Sequence, residues 1–150
     1  MQVVMENTMA KGEGKERARR FLEQVVYLDR RVEAMLDRAE RSRARLTRMT
    51  AVYGERGGKG TRADWTDMLA AVMEDDERLN AEIDRLVDVK ERVKREIGLI
   101  GDAEMQALLE FRYLNGYTWQ QIAMRLHVDR RTVSRLHAKA LERIRVPEGV

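Results

Sequence analysis

A long apolar repeat in the first third of the chain constrains the fold most strongly. Between residues 15 and 53 neither glycine nor proline occurs, and side chains that are apolar with one exception recur at alternating steps of four and three. A stripe with this heptad spacing follows one face of an α-helix and must be covered by another helix. The spacing therefore predicts a helix of ~35 residues, roughly 50 Å long. Its seam comprises Phe21, Val25, Leu28, Val32, Met35, Ala39, Ser42, Leu46 and Met49.

A second repeat with the same spacing follows a glycine-rich stretch. Four glycines between residues 54 and 60 predict a loop over about 54–62. The second helix runs from Asp64, a candidate N-cap, to Gly98, a residue suited to a helix end. Two helices of similar length joined by a short loop are expected to fold back as an antiparallel, coiled-coil-like hairpin over 15–98. The second seam comprises Trp65, Leu69, Val72, Asp76, Leu79, Ile83, Leu86, Lys90, Val93 and Ile97.

The two predicted hairpin helices carry opposite charge. Residues 15–50 contain 11 Lys or Arg and 6 Asp or Glu, whereas residues 51–101 contain 9 and 12. Charge pairs that flank the seam are therefore expected to be attractive, each contributing ~0.2–1 kcal/mol. Leu22, Val26 and Leu36 widen the apolar face of the first helix and need a second partner. The sequence leaves open whether that partner is the C-terminal part of the chain or another subunit in a four-helix bundle.

The sequence lacks the residues and motifs that most classes of enzyme need. The chain has no cysteine, which removes disulfides, Cys-ligated zinc and a thiol nucleophile. His127 and His137 have no carboxylates at metal-ligand spacing, so we expect no metal and no cofactor. The glycines at 54–60 lack the following Lys-Ser/Thr pair and the preceding strand of a phosphate-binding loop. We therefore expect that the protein is not an enzyme.

The chain also lacks the sequence signals of membrane insertion. No segment approaches the ~18 consecutive apolar residues of a transmembrane helix. Residues 1–14 are polar, without a signal peptide's apolar stretch and without a period. We expect a disordered tail over 1–14 and a cytoplasmic protein without a membrane partner.

In residues 102–146 the apolar repeats are shorter, which predicts three compact helices. The first ends at Asn115-Gly116, a dipeptide suited to a positive φ. Thr118 and Gln121 form a capping box at the start of the second. After the turn His127-Val128-Asp129, Asp129 caps the third helix. This arrangement predicts a helix-turn-helix. The inward faces comprise Met105, Leu108, Leu109, Phe111, Leu114, Ile122, Ala123, Leu126, Val133, Leu136, Ala140, Leu141 and Ile144.

Cations cluster on the third predicted helix. Residues 128–146 contain six cations and two anions. In a helix-turn-helix the start of this helix lies against base edges in the major groove, where arginine binds guanine and serine can donate or accept. We therefore assign base contacts on double-stranded DNA to Arg130, Arg131, Ser134 and Arg135. We assign contacts with DNA phosphates to Thr118, Gln121, Thr132, Lys139 and Arg143. The alternative interpretation is an ordinary solvated face.

The same residues resemble a known family. VDRRTVSRLHAKALERIR, preceded by FRYLNGYTWQQIAMRL, is similar to region 4 of sigma-70-type RNA polymerase sigma factors. The resemblance covers residues 102–146 and implies the same four base-reading positions, with RNA polymerase as a possible partner. Ser134 stands where sigma factors tend to carry a long basic residue, which implies a different target sequence. His127 stands where glycine is frequent, and histidine tolerates a left-handed backbone better than most residues.

The whole layout resembles small phage and prophage proteins related to late-gene activators of the ArpU type. It implies an all-α protein in which a helical hairpin precedes a sigma-region-4-like domain. The expected function is sequence-specific control of transcription in a bacterial host cell, with the hairpin forming a homodimer or contacting RNA polymerase. Two alternatives stay open. One is the DNA-recognition subunit of a phage packaging terminase, and the other is a polymerase-binding adaptor that does not read DNA.

Overall fold

The described part of the protein consists of helices joined by turns and short irregular segments. This computed structural model describes the backbone of residues 2–56 and 59–149 and the side chains of residues 10–52 and 62–149. No strand occurs in these residues, which confirms the predicted all-α class. None of the helices described is both long and apolar enough to cross a membrane. The helices are α1 (Gln2–Arg56), α2 (Lys59–Gly98), α3 (Ala103–Leu109) with a following π-helical turn (Glu110–Leu114), α4 (Trp119–Leu126) and α5 (Arg130–Arg143).

The chain divides into two compact units, and each contains part of both long helices. Unit 1 comprises Met1–Tyr27 and Val87–Val150, and unit 2 comprises Leu28–Leu86. The predicted division placed all of residues 15–98 in the hairpin, so the structure differs by grouping the hairpin's open end with the C-terminal helices. The apolar face of α1 accounts for this grouping, because Leu22 is fully buried within unit 1. For this residue, the second partner that the sequence required lies in the same chain.

In unit 2, α1 and α2 run antiparallel, as predicted. Ion pairs that join the two helices include Arg31–Glu82 at 3.1 Å, Arg38–Asp75 at 3.5 Å and Arg43–Asp76 at 2.7 Å. Arg31 pairs with Glu82, whereas Arg38 and Arg43, which come later in α1, pair with Asp75 and Asp76, which come earlier in α2. The expected attraction between a basic and an acidic helix is therefore present, although each exposed pair contributes only ~0.2–1 kcal/mol. Farther along, the Trp65 indole N–H donates to the Thr50 hydroxyl at 2.6 Å.

The predicted seam is shielded more completely in α1's first half than in its second. Phe21 and Val25 are buried, whereas Leu46 and Met49 are half-buried. Two helices alone shield only the facing side of each other, so side chains near the edge of the seam keep some access to water. Leu36, which the sequence expected to need a second partner, remains 45% exposed.

The structure corrects the predicted start of α1. The helix begins at Gln2, so the segment 1–14 is helical from its second residue rather than a disordered tail. Gly12 and Gly14 each cost about 1 kcal/mol relative to alanine, but the alanine, lysine and glutamate around them favour helix. Extension of an existing helix adds one hydrogen bond per residue without a new nucleation cost. Those favourable terms outweigh two isolated glycines.

The predicted loop over 54–62 is also shorter in the structure. Helix α1 ends at Arg56 and α2 begins at Lys59, while residues 57 and 58 lie outside the described residues. Asp64 therefore lies inside α2 and is not its N-cap. Glycine weakens a helix but keeps both backbone hydrogen-bonding groups, so a helix can continue through it where proline would stop it.

A π-helical turn follows α3 in unit 1. The Asn115 N–H donates to the Glu110 carbonyl, five residues back, at 3.0 Å. One additional residue in the turn rotates the side chains that follow by about 100°. Tyr113 is buried in this turn, whereas Phe111 and Leu114, which were predicted to form the core, are half-buried. The predicted positive φ occurs at Gly116, with a value of 71°.

Candidate nucleic-acid interface

Helix α4 begins with the predicted capping box. The Gln121 N–H donates to Thr118 Oγ1 at 3.2 Å, and the Thr118 N–H donates to Gln121 Oε1 at 2.9 Å. These two hydrogen bonds satisfy backbone donors that have no partner inside the helix. Both side chains thus hold the first turn of α4 in place. Their assignment to DNA phosphates remains a prediction.

The turn between α4 and α5 has the geometry that the sequence indicated. His127 adopts the left-handed conformation, with φ 55° and ψ 42°. The Val128 N–H donates to the Ala123 carbonyl at 3.1 Å. Asp129 Oδ1 accepts from the Thr132 N–H at 2.7 Å, which confirms the predicted cap of α5. The turn is therefore closed by hydrogen bonds on both sides, and it fixes where α5 starts.

The charge of Asp129 suits its position. Hydrogen bonds from Thr132, and to a smaller extent the charge of Arg135, hold the pKa of the Asp129 carboxyl below its ordinary value. An ionised carboxylate at the start of α5 is favourable because the helix dipole is positive there. This carboxylate also places a negative charge beside the cations assigned to DNA, so the first turn of α5 is less positive than its arginines alone suggest.

Most of the predicted inner face of α5 is buried and orients the outer face, whereas Leu136, also predicted to face inward, is half-buried. Val133, Ala140 and Ile144 are buried, and Ile122 of α4 is fully buried as well. Since a helix has 3.6 residues per turn, burial of these positions directs the intervening residues away from the core. The identity of the outward residues is thus decided by the packing of unit 1 and does not depend on a flexible loop.

The structure brings the predicted base-reading residues together on the outward side of α5. Arg130, Arg131, Ser134 and Arg135 are all exposed. Within the described side chains, none of the three guanidinium groups has a hydrogen bond or ion-pair partner. Of the phosphate-binding residues predicted on this helix, Lys139 and Arg143 are exposed and Thr132 is half-buried. The guanidinium groups remain available to a ligand with negative charge or acceptor atoms.

The sequence did not indicate an ion-paired contact between α1 and α5 that offsets one negative charge on α5. Glu142 pairs with Lys15 at 3.1 Å and with Lys11 at 3.5 Å. The hydrogen bond from Lys15 is the main cause of a Glu142 pKa below its ordinary value. A free carboxylate here would repel phosphates, and α1 offsets that charge. Nothing local predicts this pairing, because the partners lie at opposite ends of the chain.

A cluster of aromatic and basic side chains joins three elements of the domain. The Tyr113 hydroxyl and His137 Nε2 share a hydrogen bond of 2.7 Å. The Trp119 ring meets the His137 ring edge-on, with centroids 4.6 Å apart, and the Arg112 guanidinium lies 4.3 Å above Trp119. The cluster connects the π-helical turn, α4 and α5. Through its contact with Arg112, the Trp119 ring covers part of the π-helical turn.

Burial gives the two titratable members of this cluster unusual pKa values. Desolvation, with a further contribution from Glu23, raises the pKa of Tyr113 to about 12. Desolvation also lowers the pKa of His137 to about 4, and the charges of Arg112 and Arg19 act in the same direction. Both groups are therefore neutral at pH 7. A neutral hydrogen-bonded pair can remain buried without the cost of an unpaired charge.

We predict that the free energy of unfolding falls as the pH is lowered from 7 to 5, and that protonation of His137 in the unfolded chain causes part of this fall. The unfolded histidine has an ordinary pKa of 6.5, so between pH 6.5 and about 4 it binds protons that the folded histidine does not. Urea unfolding of wild type and His137→Gln at pH 7, 6 and 5 measures this term. Glutamine can still hydrogen-bond Tyr113 but does not titrate. An identical pH dependence in both proteins would contradict the assignment.

That the protein binds no metal and no cofactor remains a prediction. Among the residues that the structure describes, no three His, Asp or Glu side chains are placed to hold a metal ion. That the protein is not an enzyme remains a prediction.

Comparison with known proteins assigns the C-terminal helices to a class. The family described as Sigma-70, region 4 matches residues 102–146, which include α3, the π-helical turn, α4 and α5. No curated protein and no solved structure matches the chain. The resemblance to region 4 is therefore confirmed for this part of the chain, which is a sigma-70 region 4-like helix-turn-helix domain. Domains of this kind bind DNA.

Proposed function

We propose that this protein is a sequence-specific, double-stranded DNA-binding regulator of transcription. The observation that carries the proposal is the set of three exposed guanidinium groups, of Arg130, Arg131 and Arg135, that are unpaired among the described side chains. They lie in the first turn and a half of the third helix of a region 4-like domain. In a helix-turn-helix this part of the helix meets base edges in the major groove. The layout of the chain supports a regulator of phage or prophage type, related to ArpU-type activators and acting in the bacterial cytoplasm.

Affinity and sequence choice would come from different residues. Contacts between cations and phosphates release counterions and supply most of the affinity, so binding should weaken steeply with salt. Lys139 and Arg143 are placed for such contacts, with Thr132, Thr118 and Gln121 as hydrogen-bonding partners of phosphates. Sequence choice would come from bidentate arginine contacts with guanine, and from Ser134, which can serve as donor or acceptor.

The local contacts of α5 support this division of roles. The capping box, the Asp129 cap and the aromatic cluster hold α5 in place in the absence of DNA. A side chain on a fixed helix loses less entropy on binding than one on a mobile loop. The arginines therefore have to order only their own side chains when they meet bases.

We assign to the hairpin the contact with RNA polymerase or with a second copy of the chain. In unit 2, Leu36 is 45% exposed and Val52 is 48% exposed, which leaves apolar side chains for a protein partner. Sedimentation equilibrium separates monomer, dimer and larger assemblies. A closed ring of many subunits would instead favour a packaging terminase subunit.

Selection of duplexes from a random pool tests the proposed function. Wild type should enrich a consensus, and Arg130→Ala/Arg131→Ala/Arg135→Ala should lose it. The control variant Arg62→Ala/Arg78→Ala/Arg85→Ala removes the same charge from exposed positions on α2, and it should still enrich the consensus. No enrichment by wild type, together with equal binding by the α5 variant, would overturn the proposal. The arginines would then face a protein, as in a polymerase-binding adaptor.

A further inference from the structure

A groove on α1 in unit 2 is lined by four arginines, three of which have no partner on α2 among the described side chains and take no part in the proposed DNA contact of α5. The arginines occur at steps of three, four and three residues, so they fall along one side of the helix. From the first to the last, the helix rises about 15 Å. The groove, called here the arginine groove, is lined by Ala34, Asp37, Arg38, Arg41, Ser42, Arg45 and Arg48.

Most of the positive charge in the arginine groove is free. Arg41, Arg45 and Arg48 are exposed and, within the described side chains, have no ion-pair or hydrogen-bond partner. Arg38 reaches Asp75 of α2 at 3.5 Å but remains 73% exposed. Asp37 is the one carboxylate among the lining residues. Arginines three and four residues apart on a helix repel each other weakly, and a bound anion relieves that repulsion.

The residues that line the arginine groove suit a phosphate ligand better than a protein surface. Stable protein interfaces have a core in which apolar and aromatic side chains are buried. The single apolar residue that lines the groove is Ala34. Leu36, which could anchor a protein partner, follows Ala34 by two residues. It therefore lies about 200° away from Ala34 around the helix. A row of guanidinium groups suits phosphates, because the planar fork binds two oxygens at once and is weakly hydrated.

We infer that the arginine groove binds the phosphate backbone of nucleic acid and forms a second contact in addition to α5. The inference rests on the proposed function for the choice of DNA as ligand. The groove would add affinity for any sequence and would not contribute to base choice, since phosphate contacts carry no direct sequence information. Arg41 and Arg48 lie about 10 Å apart along the helix, so the groove can contact more than one phosphate.

The test uses the full chain with Arg41→Ala/Arg45→Ala/Arg48→Ala. The control is Arg62→Ala/Arg78→Ala/Arg85→Ala, which removes equal charge from unit 2 outside the groove. Fluorescence anisotropy measures binding of the selected duplex and of a scrambled duplex across salt concentrations. We expect the groove variant to weaken binding of both duplexes by the same factor. The slope of log K against log salt should fall by ~1–3, at about 0.9 for each phosphate that the variant no longer neutralises. The control should change the slope less.

The outcomes separate this inference from the proposed function. If wild type selects a motif but the groove and control variants have the same slope, the groove does not bind DNA and the function of α5 stands. If wild type has no preferred sequence while the groove variant alone lowers the slope, the groove inference stands and sequence-specific regulation fails. Circular dichroism of both variants checks that their helices are intact, which alanine in place of exposed arginine should preserve.

Discussion

Replacement of Ile122 by alanine is expected to lower the free energy of unfolding by about 2–5 kcal/mol. Ile122 is fully buried in α4, and this helix packs against both α3 and α5. The substitution removes three methyl or methylene groups and leaves a cavity that the surrounding helices can only partly close. Since small domains are stable by only about 5–15 kcal/mol, the loss is a large part of the total. Urea unfolding followed by circular dichroism measures it.

Met124 provides the matched control for this substitution. It lies two residues after Ile122 on the same helix and is 71% exposed. Met124→Ala leaves no cavity and keeps a good helix former, so we expect a change within about 0.5 kcal/mol. Equal losses in the two variants would mean that α4 is not packed in the way described. Under conditions where the Ile122→Ala protein is folded, it should bind DNA with full affinity, because the side chain at position 122 faces the core and not the DNA.

Replacement of Arg131 by alanine is expected to weaken binding of the selected duplex by about 1–3 kcal/mol and to relax preference at one base pair. The reason is loss of a bidentate contact to guanine O6 and N7. Arg131→Lys should restore part of the affinity but not the base preference, because an ammonium group lacks the planar fork. Competition between the selected duplex and its single-base variants measures both quantities.

Arg143 is the comparison for a residue assigned to phosphate. Arg143→Ala should weaken all duplexes about equally and lower the salt slope by about 1. If Arg131→Ala also weakened every duplex equally, Arg131 would be a phosphate contact and the base assignment would be wrong. The comparison therefore distinguishes the two roles within one helix, at the same change in charge.

Local rules in the sequence were enough to predict much of this structure. The heptad seams predicted two long helices, because helix periodicity depends only on residue spacing. Thr118, His127 and Asp129 were predicted as cap and turn residues, since each acts on backbone groups within a few positions. The outward location of Arg130, Arg131 and Arg135 followed from the same periodicity. These features are short-range, and tertiary packing leaves them unchanged.

Features that depend on distant contacts could not be predicted. The hydrogen bond between Tyr113 of the π-helical turn and His137 of α5 joins residues whose spacing in the sequence does not relate them. The pairing of Lys15 with Glu142 joins segments separated by most of the chain. The grouping of the hairpin's open end with the C-terminal helices depends on which surface covers Leu22. The sequence showed that this residue needed a partner and left the partner open.

Crosslinking from one position on α5 tests whether this helix lies against the bases of DNA. The chain has no cysteine, so Ser134→Cys provides a unique attachment point for a thiol-linked photoreactive group. Leu99→Cys, at a position that is 71% exposed in unit 1 and outside α5, is the control. With the selected duplex, we expect crosslinks from position 134 to bases within the selected motif and none from position 99. Absence of base crosslinks from position 134, in a protein that binds the duplex, would mean that α5 does not lie against the bases.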